Sequence, residues 1–175
     1  MTPDIEMIAE AVLPSSGADV DPDLMPVEPA YKNVLRARMS VVWVILWAAG
    51  AVADQAMLQE TAAAGLPTFV IPALAAVAIL TAPERIYRRL HYKLTDRLLQ
   101  VVRGWLFHVD TVVPLVRVQH IDVTRGPLEK AFGVATLVVH TAGTHNSIVM
   151  LPGLAPQRAA EIRDIIREHV RTDFA

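Results

Sequence analysis

Two stretches of this chain carry no ionisable side chain. Met39–Ala53 reads MSVVWVILWAAGAVA, and Leu66–Ala82 reads LPTFVIPALAAVAILTA. Between Arg38 and Glu84 only Asp54 and Glu60 ionise, and both lie in the connecting loop. A charge at the bilayer centre costs about 2.5–3.5 kcal/mol on insertion scales, so freedom from charge over this length is a physical signal. A core helix of a soluble protein would normally keep a polar face at 3.6-residue spacing, and neither run has one. The pair reads as a two-helix transmembrane hairpin occupying residues 32–84.

Crossing about 30 Å of hydrocarbon takes about 20 helical residues, and the runs hold only fifteen and seventeen. Flanking residues lengthen them. Val34, Leu35 and Ala37 precede the first run, where Arg36 and Arg38 snorkel to the headgroups, and Met57 and Leu58 extend its far end past Asp54. Trp43 and Trp47 stand one helical turn apart. Pro67 suits the first turn of the second helix, and Pro72 inside it predicts a kink.

The flanks set the orientation. Lys32, Arg36 and Arg38 precede the first helix, and Arg85, Arg88, Arg89 and Lys93 follow the second, whereas the loop 54–65 has no Lys or Arg. The positive-inside bias then puts both termini in the cytoplasm. Residues 1–31 carry seven acids ahead of Lys32 and include five prolines, the composition of a disordered leader and the opposite of a secretory signal. The absence of cysteine rules out a disulfide, a thiolate metal site and a cysteine nucleophile.

From residue 85 to 175 the texture changes to short β-rich segments. Ile86–Leu94, Leu98–Arg103, Trp105–Val113 and Leu115–Val123 read as strands, with a turn at Gly104 and a stop at Pro114. Trp105 and Phe107 fall on the core side of the third strand. In the fourth, the apolar phase slips from even to odd positions, which a bulge near Gln119-His120 reconciles. Leu128–Phe132 forms a helical turn closing on Gly133, and Thr136–Thr141 with Ser147–Leu151 makes another hairpin. After Pro152-Gly153, Pro156–Arg171 is an amphipathic helix with Ala159, Ile162, Ile165, Ile166, His169 and Val170 on one side and Arg158, Arg163 and Arg167 facing largely away.

The segments YKLTDRLL, VPLVRVQHIDVTRGPLEKAFGVATLVVHTAG and LPGLAPQRAAEI resemble the bacterial pleckstrin-homology-like (PH-like) domain of YdbS-like membrane proteins. The resemblance runs from Lys32 to Val170 and is most specific from Pro114 to Gly143, at Arg117, Gln119, Gly126, Phe132, Gly133, Thr141, Ala142 and Gly143. It implies an α+β membrane protein: a two-helix transmembrane hairpin followed by a PH-like β-barrel or sandwich capped by a C-terminal helix. It implies a bacterial inner-membrane location and a membrane-protein partner, the candidate being a larger relative with repeated PH-like domains. It brings no catalytic residues and no cofactor.

Other chemistries find little support. His108 with Asp110 and His120 with Asp122 invite a metal across two neighbouring strands, but their spacing is only the strand period, so they read as hydrogen-bonded polar pairs. No G-x-S-x-G surrounds Ser147 and no phosphate-cradling glycine loop is present, so the chain reads as no enzyme. From Glu84 to the end there are 13 Lys and Arg against 9 Asp and Glu, too even for nucleic acid. The first hairpin loop offers Arg103 beside Gly104 with Arg97 nearby, short of the basic cluster that phosphoinositide binding requires. The candidate interaction surface is Arg117 and Gln119, on one strand face, with Arg125 beyond its end. It suits a partner carboxylate or an anionic headgroup, with Arg117 pairing to Asp110 as the alternative. The expected function is a membrane-anchored interaction module, a scaffold or accessory subunit; a lipid or small-anion-binding module at the inner leaflet is the alternative.

Overall fold

The computed structural model describes residues 24–58, 60–61, 64–104, 108–142 and 148–172. Two long antiparallel helices, α1 (Tyr31–Ala53) and α2 (Leu66–Tyr87), form the hairpin. At 1.5 Å per residue each reaches about 33 Å, enough to cross a bilayer. Both are apolar through their middle turns, where many large side chains are exposed: Phe69 is 77% exposed and Leu80 69%. Water would not tolerate that surface, whereas lipid does.

The rest is a sandwich of two antiparallel sheets. The first has the order β1 (Met25–Pro26), β2 (His91–Leu94), β3 (Leu98–Arg103) and β4 (Val109–Pro114). A short 3-10 turn, Leu115–Arg117, leads into the second sheet of β5 (Val118–Thr124), β6 (Ala135–Thr141) and β7 (Ile148–Leu154). A single helical turn, α3 (Pro127–Ala131), joins β5 to β6, and α4 (Pro156–Thr172) closes the end. Leu99, Val101, Leu137, Val139 and Leu151 from the sheets meet Ala159, Ile162 and Ile166 of α4 in one core, all of them fully buried. This is the PH-like sandwich with its C-terminal helix that the resemblance implied.

The phase slip in β5 is a real bulge: the register with β6 shifts between Val118 and His120. A second irregularity was not anticipated. Pro152-Gly153, expected as a loop, lies within β7, and the β6–β7 register shifts between Ala135 and Leu137 to absorb the extra residue. Ile86 and Tyr87, read as strand, instead finish α2, so β2 starts only at His91. Arg158 does not face away from the domain. Its Nε donates to the Tyr92 hydroxyl at 3.4 Å and its Nη1 to Glu161 at 2.8 Å, which together hold its pKa above the usual guanidinium value. Trp105 and Phe107 lie outside the described residues.

One boundary moves. Residues 25–31, placed in the leader on composition, are part of the folded domain. Met25 pairs with Tyr92 and Pro26 with His91, and Val27, Tyr31 and Val34 belong to the core cluster. The membrane hairpin is therefore inserted between the first and second strands of the sandwich, and α1 begins inside the domain before it leaves for the membrane. Residues 1–23 lie outside the described residues.

The hairpin has its own internal contacts. At its tip the buried Asp54 carboxylate accepts the Gly65 N–H at 2.8 Å and the Thr68 hydroxyl at 3.3 Å, capping the start of α2 from across the loop. At its base Lys32 reaches Glu84 at 3.2 Å, Arg88 reaches the same carboxylate at 3.0 Å, and the Lys32 ammonium lies 4.9 Å from the centre of the Tyr87 ring.

Candidate functional site

The three residues expected to form one surface separate into two places. Arg117 ends the 3-10 turn and Gln119 follows on β5 with the bulge at its side, so they do not share one strand face. They remain neighbours, both exposed, at the corner where the first sheet passes into the second. Arg125 lies past the far end of β5, about 20 Å away at the strand rise. Its Nε donates to the Val134 carbonyl at 3.3 Å. Asp110 is not the partner of Arg117. It accepts a hydrogen bond from Gln100, its diagonal neighbour on β3, at 2.8 Å.

What surrounds Arg117 is apolar. The order of the first sheet leaves β4 at its edge among the described residues. Along that edge and the following turn Val112 is 52% exposed and Val116 63%, with Pro114 exposed between them. Asp110, the one charge on β4, is engaged with Gln100. The corner thus offers a run of exposed apolar side chains ending in a cation and an amide.

The two His-Asp pairs do not meet, because β4 and β5 belong to different sheets. His120 instead sits directly across from His140 of β6, and Asp122 lies between them, 2.8 Å from His120 Nε2 and 3.6 Å from His140 Nε2. No group of side chains able to hold a metal occurs among the described residues. The cluster is a cross-strand polar network on the outer face of the second sheet, extended by one histidine that strand spacing alone did not mark.

A second feature was missed altogether. A groove of about 680 Å³ opens where the hairpin meets the sandwich. Val34, Leu35 and Arg38 of α1 form one side, Val138 and Met150 of the second sheet the other, and Arg103 stands at the end of β3. Glu129 also lines it, with both carboxylate oxygens used: one accepts the Gly126 N–H and the other the Thr136 hydroxyl, each at 2.7 Å. In the sequence Arg38 reads as a membrane flank and Arg103 as the neighbour of a turn glycine. No spacing in the sequence links residues so far apart.

The architecture defines a class: a PH-like sandwich carrying a membrane hairpin between its first two strands. Residues 39–170 match the sequence profile of the family described as bacterial PH domain, and the chain belongs to that family. It is 32% identical over 95 residues to the UPF0699 transmembrane protein YdbS of Bacillus subtilis (strain 168). That match covers 54% of this chain and 58% of the relative, so the chain spans little more than half the relative's length. No solved structure matches at a significant level. With two exposed apolar helices and a transmembrane relative, the protein is a membrane protein.

Proposed function

We propose that this protein is a non-catalytic interaction module of the bacterial inner membrane, a scaffold or accessory subunit that docks another membrane protein at the free edge of its first sheet. The observation behind the proposal is the exposed strip of Val112 and Pro114 on an edge strand and Val116 on the turn that follows it, ending in Arg117 and Gln119. Edge strands present unpaired backbone N–H and C=O groups, and natural proteins usually blunt them with charge. Here β4 carries a single exposed charge, Asp110, at its start, and the strip from Val112 to Val116 that follows has none.

An extended partner segment adds to β4 through backbone hydrogen bonds. Val112 and Val116 supply apolar contact, and Arg117 donates to a partner carboxylate. Anchoring both proteins in one membrane raises their effective concentration toward about the millimolar range, so a weak edge contact suffices. A larger relative with repeated PH-like domains is the partner this reading favours.

In-membrane crosslinking of the full-length protein, followed by mass spectrometry, tests it. A single stoichiometric membrane-protein partner is expected, lost with Arg117→Glu and with Val112→Lys while the variants stay folded. Recovery of the protein alone, or of a partner indifferent to both substitutions, overturns the docking edge.

A further inference from the structure

We infer that the groove at the hairpin base binds one anionic phospholipid from the leaflet on the domain side, with the phosphate between Arg38 and Arg103 and an acyl chain along the apolar wall. Position comes first. Arg38 immediately precedes Met39, the first residue of the charge-free run, so its backbone stands at the edge of the hydrocarbon and the groove opens at headgroup depth.

Charge comes second. Arg38 and Arg103 make no side-chain hydrogen bond or ion pair with another described residue. The groove's carboxylate, Glu129, is already engaged by Gly126 and Thr136. Two uncommitted guanidiniums on one groove favour a phosphate, which they bind through charge-assisted hydrogen bonds.

The walls select the source of that phosphate. Leu35, Val138 and Met150 line the groove, and Val109 beside Arg103 does too. Val109 is 41% exposed and Met150 49%, apolar surface that a soluble anion would leave bare and an acyl chain would cover. The volume falls within the range of about 300–1,000 Å³ usual for ligand sites. The groove is separate from the β4 corner, so this inference does not rest on the docking edge.

The test uses the full-length protein in nanodiscs of phosphatidylglycerol mixed with phosphatidylcholine, released into mild detergent, with retained lipid read by native mass spectrometry. Phosphatidylglycerol is expected to be retained in preference to phosphatidylcholine, one molecule per chain. Arg103→Gln, at the exposed end of β3, should lower that retention about fivefold, and Arg38→Gln should add a similar factor. Met150→Trp, which fills the groove and leaves both arginines, should also displace the lipid, whereas Arg117→Gln should leave it bound. Equal retention of the two lipids, or no change in Arg103→Gln and Met150→Trp, overturns the inference. Displacement of the lipid by soluble glycerol phosphate at matched concentration also overturns it, by showing a site for a free anion.

Discussion

Gly153 meets two requirements that no other residue satisfies. Its φ is +80°, and a Cβ there would lie 2.7 Å from Cγ of Tyr31, whose ring rests on it. Its carbonyl also accepts the Glu28 N–H at 2.7 Å, so the β7 irregularity is the seat on which the start of α1 is held. Gly153→Ala should cost about 2 kcal/mol or more, from left-handed strain together with overpacking. Denaturation of the full-length protein in detergent measures this. In a double-mutant cycle, Tyr31→Ala should relieve the packing part and leave the backbone part. The sequence shows Pro152-Gly153 as a break, which is correct as chemistry. It does not show that the break is absorbed inside a strand, because that depends on a tyrosine more than a hundred residues upstream.

Among the elements, α2 shows how the hairpin tolerates a proline. Pro72 has no N–H for the carbonyl of Thr68, and the indole N–H of Trp47 on α1 donates to that carbonyl at 3.2 Å. One helix mends the defect of the other. Trp47→Phe should destabilise the helix pair by about 0.6–1.7 kcal/mol, the range of interhelical hydrogen bonds in membranes. Most of that polar loss should vanish in a Pro72→Ala background, where the helix supplies its own donor; a fluorescence-based helix-association assay reads both. At Gly50 the helices pack closely, since a Cβ there would run into Ile71 Cδ1. Gly50→Leu should push α1 and α2 apart and lower thermal stability in detergent.

These helices were legible in the sequence because the absence of charge is a local property, and the β5 bulge was legible because a phase slip is one too. The position of Arg117 on a 3-10 turn was not. Leu115, which that turn buries in the core, looks like any other strand leucine in sequence.

At the scale of the whole molecule, the sandwich is built from chain on both sides of the membrane hairpin. The first strand is two residues long and lies in a proline-rich acidic context, so nothing in its composition marks it. Only its pairing with β2 does, and that pairing spans the entire hairpin. Val27→Ala should therefore destabilise the domain by about 2 kcal/mol although it lies upstream of the membrane segments; limited proteolysis of the full-length protein should show faster cleavage beyond residue 88. The proposed orientation has a direct test, because the natural chain has no cysteine. In intact cells Glu60→Cys should react with a membrane-impermeant maleimide, and Asp96→Cys, on an exposed turn of the domain, should react only after permeabilisation.

The placement of the hairpin also sets an order of events during synthesis. Met25 and Pro26 leave the ribosome long before His91 and Tyr92, and between them the two apolar helices must enter the bilayer. The first strand therefore waits, unpaired, until insertion is complete. Closure of the sandwich then staples both ends of the hairpin to the same sheet. A chain whose helices failed to insert would carry its β1 and β2 on the ends of an apolar segment that water cannot accommodate, so the domain's completion reports that the membrane step has succeeded.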